Sequence, residues 1–280
     1  MNGGLVRLRE IMNDITPSER KVADYILANP QDLVTMSVAE LSWHSGGSQA
    51  AVIRLCKSAG FKGYQELKLK VAGDLQQQGE GGGYQEINPT DSIERIIENV
   101  SNNNIQSIRD TLKILNPDHI TKAVEALLRA SRIYFYGIGA SNLIAVDAQH
   151  KFMRINKTSF SFDDPHMQLV SSVMLSKDDV VVGISYSGES VTTLECVRKA
   201  RELGATTITI TRYGNTSLSQ LADIPLFISS TENEIRSGAT SSRITQLNVI
   251  DILYLCVASR EYDKSVAYLE KSRSIVKRLR

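Results

Sequence analysis

Cysteine is scarce in this chain. Three residues, Cys56, Cys196 and Cys256, stand far apart and odd in number. That excludes a disulfide framework and any zinc or redox spacing, and predicts buried thiols in a reducing cytosol. Net charge is nearly absent too. The formal value is +1 over 280 residues, so any basic surface for a polyanion has to be local. No apolar stretch approaches the roughly 20 residues that a membrane span needs. The first residues, MNGGLVRLREIMNDI, are amphipathic and contain acid, unlike the apolar core and small-residue cleavage site of a signal peptide. A cytoplasmic protein is expected.

Several catalytic signatures are also lacking. There is no GxxxxGK[ST], which excludes a P-loop nucleotide site. GIGASN (137–142) starts like a dinucleotide fingerprint but has Asn142 where the third glycine belongs. Ser185 follows Gly183, yet position 187 is Ser, so GxSxG fails and no nucleophile elbow is signalled. The four histidines, His44, His119, His150 and His166, are scattered singly. They read as surface or capping residues, with His150 the best exception because it follows GIGAS. No metal site and no cofactor is indicated.

The length favours two domains. Residues 76–92, QQQGEGGGYQEINPTDS, hold too little apolar surface to offset ordering entropy and read as a linker. The expected division is 1–77, a helical domain; 78–92, the linker; and 93–280, a second domain with leading helices. Before the linker only helices are predicted. Thr16, Pro17 and Glu19 start one helix. Ser37 with Glu40 makes a capping box for VAELSWHS, Gly46-Gly47 breaks it, and Ser48 caps QAAVIRLCKSAG. Two short helices joined by a glycine turn form a helix-turn-helix pattern. In the second, Val52, Leu55, Cys56 and Ala59 recur at core spacing. Gln49, Ala50, Ile53, Arg54 and Lys57 lie opposite. Residues 49–70 carry five Lys or Arg against one acid, a local +4. That suits a helix entering a DNA major groove, with Ser48, Gln49 and Arg54 as contacts. A plain solvated, capped helix is the alternative reading.

After the linker two amphipathic helices, SIERIIENVSNNNIQSIRDTLKIL and HITKAVEALLRA, precede strands alternating with helices. RIYFYGIGAS, a short β-rich run ending in Gly-x-Gly, and TSFSF, DDVVVGISYSG, ATTITITR and DIPLFIS are the strands. The alternation predicts an α/β doubly wound, mostly parallel sheet. Ligands in such sheets bind beyond the carboxyl ends of strands. Two turns meet that description, GIGASN and SYSGES (185–190). Each joins glycine to hydroxyls at a helix start, a place for an anion such as a phosphate monoester. Serines that merely cap helices are the competing reading.

SVAELSWHSGGSQAAVIRLCKSAGFKGYQELK resembles the helix-turn-helix of the RpiR family of bacterial transcriptional regulators. GIGAS and SYSGES, in that order, resemble the sugar isomerase (SIS) domain fused behind it. The resemblance is greatest to MurR-like regulators of amino-sugar use. It implies an all-α helix-turn-helix bundle followed by a SIS-type, flavodoxin-like sheet. It further implies a homodimeric or homotetrameric repressor or activator that binds operator DNA and a sugar-phosphate effector, N-acetylmuramic acid 6-phosphate or another amino-sugar 6-phosphate. A repressor without enzymatic activity or catalytic residues is the expectation; a phosphosugar isomerase or etherase is the alternative. Carried over, the phosphate falls to Ser185, Ser187, Gly188 and Ser190, with Gly139 and Ser141 from the other turn. DNA falls to Ser48, Gln49, Ala50 and Arg54, with Lys57 and Lys62 beside them. In NEIRSGATSSRI (233–244), Glu234, Arg236 and Arg243 are expected to contact the sugar or link subunits. Gly47 stands where the family has an aliphatic residue and Ala51 where Thr is common, a departure that predicts a looser turn.

Overall fold

The computed structural model describes residues 3–76, 90–230 and 239–277. They form two compact units. The first is Met1–Ile114 with Tyr213–Asn215 and Ser229–Thr231; the second is Leu115–Arg212, Thr216–Ile228 and Glu232–Arg280. Most of the expected linker lies outside the described residues. Residues 93–114, expected to lead the second domain, belong to the first unit.

The first unit runs α1 (Gly4–Glu10), α2 (Pro17–Ala28), α3 (Pro30–Leu33), α4 (Val38–Ser45), α5 (Gln49–Ser58), α6 (Tyr64–Gln76) and α7 (Ile93–Ile114). The predicted start signals are made. The Thr16 N–H donates to Glu19 Oε2 at 3.0 Å. The Ser37 N–H donates to Glu40 Oε2 at 2.7 Å, and the Glu40 N–H donates to Ser37 Oγ at 3.2 Å. Each cap satisfies donors that the first helical turn leaves free, and losing one costs about 1 kcal/mol. Val52, Leu55, Cys56 and Ala59 are fully buried against Val22, Ile26, Leu41 and Leu67. Each buried aliphatic side chain contributes roughly 1.5–3 kcal/mol.

The turn between α4 and α5 is not loose. Gly46 takes the left-handed conformation, φ 63°, that closes α4. A Cβ on Gly47 would stand 2.6 Å from Val22 Cγ2, so Val22 occupies the space that an aliphatic residue at 47 would fill. Ser42 Oγ donates to the Gly47 carbonyl at 3.0 Å.

The second unit runs α8 (Pro117–Arg129), β1 (Arg132–Gly137), α9 (Ala140–Arg154), β2 (Ser159–Phe160), α10 (Pro165–Ser172), β3 (Asp179–Ile184), α11 (Val191–Glu202), β4 (Thr206–Arg212), α12 (Ser217–Leu221), β5 (Ile224–Ile228), α13 (Ser241–Arg260) and α14 (Tyr262–Lys277). The sheet order is β2-β1-β3-β4-β5 with every pairing parallel. That is the flavodoxin-like order, whose switch point lies between β1 and β3. Alternate residues feed two cores. Ile133, Phe135, Val180, Val182 and Ile184 pack with α8, α9 and α13 residues on one face. Tyr134, Tyr136 and Val181 pack with Cys196, Val197 and Ala200 of α11 on the other. Strands buried on both faces explain the near-continuous apolar runs. TSFSF pairs only through Ser159 and Phe160. Burial pushes the Cys56 thiol up to about 11 and the Cys196 thiol up to about 12, while Cys256 is only partly buried. Among the described residues no helix is long and apolar enough to cross a membrane.

Candidate functional site

Register brings the two singled-out turns together. Gly137, the last residue of β1, pairs with Ile184, the last residue of β3. The turns that follow therefore leave the sheet side by side at the switch point. Between them is a recess of about 340 Å³, including its open mouth, lined by Ile138, Ala140, Ser141, Ser185, Tyr186, Ser187, Ser190, Ala239, Ser242 and Gln246.

Ser185 is the hub of the second turn. It is buried, and its Oγ lies 3.0 Å from Ser190 Oγ and 3.5 Å from Ser187 Oγ. The Gly188 N–H donates to Ser185 Oγ at 3.2 Å, and the Glu189 N–H donates to Ser187 Oγ at 3.3 Å. Ser190 occupies the N-cap position of α11 yet makes no side-chain cap. Gly139 holds the N-cap position of α9 and has no side chain with which to cap. The α11 start thus keeps N–H groups and a positive dipole end at the recess, whereas at α9 the Ser141 and Asn142 N–H groups turn back to the Ile138 and Gly139 carbonyls. Serines serving only as caps would point their oxygens at those N–H groups, so the capping reading fails for Ser190. The whole arrangement offers hydroxyls, backbone N–H groups and one amide to an anion, in the way helix starts hold phosphates.

Of the expected ligand residues, Ser141, Ser185, Ser187 and Ser190 line the recess. Gly139 and Gly188 shape its turns without lining it. Glu234 and Arg236 lie outside the described residues, and Arg243 is exposed on α13. The stretch 233–244 does reach the recess, through Ala239 and Ser242. Gln246 had no signal in the sequence. It is buried one turn further along α13, and its Nε2 donates to Ser141 Oγ at 3.4 Å. None of the four histidines lines the recess; His150 is exposed, and His119 Nδ1 lies 2.7 Å from the Pro225 carbonyl oxygen.

In the helical unit, Ser48, Gln49, Ala50, Arg54, Lys57 and Lys62 are all exposed. Ser48 also caps α5, its Oγ accepting from the Ala51 N–H at 3.1 Å. Arg54 Nη2 donates to Ser18 Oγ at 3.3 Å from the start of α2. Not all of the local positive excess faces outward. Lys68 Nζ donates to the Met36 carbonyl at 2.8 Å, anchoring α6. Arg54, Lys57 and Lys62 are what remains on the exposed side of α5 and the turn after it.

Residues 2–78 match the helix-turn-helix domain of the rpiR family, and residues 126–256 match the SIS domain. The chain belongs to the RpiR family. An HTH-type transcriptional regulator of Caldanaerobacter subterraneus is 44% identical, over 99% of this chain and 98% of its own. The HTH-type transcriptional regulator YbbH of Bacillus subtilis is 43% identical over the same shares. Among solved structures, Vibrio vulnificus NanR, in complex with ManNAc-6P, aligns over 99% of both chains at a TM-score of 0.63 and 26% identity. This RpiR-family chain is a transcriptional regulator with helix-turn-helix and SIS domains. Its α4 and α5 are the helix-turn-helix pair, and its recess lies in the SIS fold.

Proposed function

We propose that the chain is a cytoplasmic repressor that reads operator DNA through α5 and senses an amino-sugar 6-phosphate in the SIS recess. N-acetylmuramic acid 6-phosphate is one such effector. The observation that carries the reading is the hydroxyl cluster of Ser185, Ser187 and Ser190, set beside an uncapped helix start at the β1/β3 switch point. Three small donors around one point fit the three outer oxygens of a phosphate monoester. The NanR structure supports the sugar class, because ManNAc-6P is itself an amino-sugar 6-phosphate.

Sensing is preferred to catalysis on chemical grounds. Isomerisation needs a group that takes a proton near the sugar C1–C2 region. Among the described lining residues there is no carboxylate, imidazole or amine. Regulation then follows from linkage: an effector that binds one arrangement of the regulator more tightly shifts the population toward it.

The test is fluorescence anisotropy of labelled DNA from upstream of the protein's own operon, titrated with protein and then with hexose and amino-sugar 6-phosphates. Release of bound DNA by one amino-sugar 6-phosphate is the expected result. DNA binding that no sugar phosphate alters would sink the sensor reading. Turnover of a sugar phosphate by the purified protein would replace it with the isomerase or etherase reading.

A further inference from the structure

The turn after β4 leaves its own unit for three residues. Tyr213–Asn215 belong to the helical unit, while Arg212 before them and Thr216 after them belong to the sheet unit. Chain continuity makes this stretch a short covalent strap.

The tip of the strap is seated at the end of α5. The Tyr213 hydroxyl donates to the Ala59 carbonyl at 3.0 Å. Ala59 is the C-cap of α5, where carbonyls lack a donor within their own helix. Beyond it the Gly60 N–H donates to the Lys57 carbonyl at 2.9 Å and the Phe61 N–H donates to the Cys56 carbonyl at 2.8 Å. Gly60 has φ 70°, and the three features together make a Schellman closure. A Cβ on Gly60 would stand 2.6 Å from the Tyr213 hydroxyl. Glycine there serves both the left-handed turn and the approach of the phenol. The Arg7 guanidinium lies over two rings, 5.2 Å from the Phe61 centroid and 5.3 Å from the Tyr213 centroid, and the ring faces attract it.

The base of the strap is fastened to the turn 185–190 on both sides of Tyr213. Before it, the Arg212 N–H donates to the Tyr186 carbonyl at 2.9 Å. After it, the Ser217 N–H donates to Glu189 Oε1 at 2.9 Å, and the Leu218 N–H donates to the Gly188 carbonyl at 3.0 Å. The N–H of Glu189 is itself bound to Ser187 Oγ. A ligand that draws on the Ser187 hydroxyl therefore acts on the backbone that carries these bonds. Neighbouring Cα atoms stay about 3.8 Å apart across a trans peptide. A shift of Arg212 thus reaches Tyr213 through a single peptide, with little slack to absorb it.

We propose that Tyr213 is the positioning residue that couples the recess to the DNA-reading helix. An effector that reshapes residues 186–189 moves Arg212 and Ser217 with them, and the phenol carries the change to the end of α5. Tyr213 does not line the recess, so it acts only through Ala59 and the closure of α5. The inference rests on the sensor reading for its ligand and names the route by which that ligand acts.

Tyr213→Phe tests it, because the ring stays under Arg7 while the bond to Ala59 is lost. By anisotropy and calorimetry, the variant is expected to bind operator DNA alone and N-acetylmuramic acid 6-phosphate alone within about two-fold of the parent. The factor by which the sugar phosphate weakens operator binding is expected to be about three- to ten-fold smaller than in the parent, the worth of one hydrogen bond. Equal factors in the two proteins overturn the proposal. So does loss of either ligand alone, which would make Tyr213 a prop of α5 or of the recess.

A second arm uses no ligand. Gly188→Ala forces Thr216 away from the turn and is expected to speed hydrogen exchange of the Gly60 and Phe61 amides about three-fold or more, beyond any change in α2. In a Tyr213→Phe background it is expected not to. If Gly188→Ala does not fold, Glu189→Ala, which releases the Ser217 N–H, gives the same comparison. An equal effect with and without the Tyr213 hydroxyl refutes the route. A parent that no sugar phosphate loosens from DNA, with the second arm as expected, removes the sensor reading while the route stands.

Discussion

A Cβ placed on Gly188 would stand 2.3 Å from Oγ1 of Thr216 and 2.4 Å from its Cβ. Gly188 also has φ 73°, a conformation that L side chains rarely adopt. Loop closeness and backbone shape therefore both demand glycine, in the middle of the turn proposed to hold phosphate. Gly188→Ala is expected to cost about 1–3 kcal/mol of stability and to abolish effector binding by calorimetry. Wild-type affinity in that variant would show that the turn does not hold the ligand.

Ser185 has a different role, since its hydroxyl contacts two others and receives the Gly188 N–H. Ser185→Ala removes a donor to the ligand and the organiser of the other two. We expect effector affinity to drop at least about ten-fold, the size of one good hydrogen bond to a charged group. Operator affinity without effector should not change. The informative comparison is derepression: the variant should need correspondingly more sugar phosphate to release DNA.

Arg54 is exposed on α5, where it donates to Ser18 and its charge helps hold the nearby Glu19 carboxyl below its ordinary range. Arg54→Ala is expected to weaken operator binding by about 1–3 kcal/mol if the guanidinium reads a base. Folding stability should change by no more than about 0.5 kcal/mol, as for other exposed substitutions. Sugar-phosphate affinity should be unaltered. Unchanged operator affinity in a gel-shift titration would remove α5 as the reading helix.

Asp179 opens β3 directly opposite Arg132, which opens β1. Arg132 Nε and Nη2 donate to its two oxygens at 2.9 and 2.6 Å, and Ser176 adds its N–H at 2.8 Å and its hydroxyl at 2.9 Å. Burial raises the Asp179 pKa, but the bonds from Arg132 and Ser176 outweigh it and hold the carboxyl below its ordinary 3.8. A depressed folded-state pKa stabilises the fold above the unfolded-state value, and this is lost as pH falls through the folded one. Urea midpoints should thus be level from neutral pH to about 5 and fall below about 4. Asp179→Asn should lose roughly 2–4 kcal/mol at pH 7 and show a shallower acid decline. Parental midpoints in that variant would deny the pair its structural role.

Much of this was legible because local chemistry and tertiary context agree. The capping boxes at Thr16 and Ser37 and the αL glycine at Gly46 are local signals, and they appear where expected. So do the strands, since a run such as DVVVGI has no other stable home than the middle of a sheet. The serines at 185, 187 and 190 announced a donor cluster because they are neighbours in sequence. Gln246 did not, since only the fold brings it to Ser141 from 105 residues away. The setting of α7 was equally hidden: its periodicity marks it as amphipathic, but Asp110 and Thr111 find their partners, Arg9 and the Ser229 N–H, only in space. The short α12 and the terminal α14 lacked any strong signal of their own.

The described lining of the recess carries no charge, and this sets the two proposed ligands apart. Both present phosphate, but one meets Arg54, Lys57 and Lys62 at an open surface and the other meets neutral dipoles in a recess. Lysine and arginine on DNA release condensed counterions, so added salt erodes that affinity steeply. Fixed hydroxyls and N–H groups release none. Ionic strength alone should strip the regulator from its operator while leaving the sugar phosphate in place.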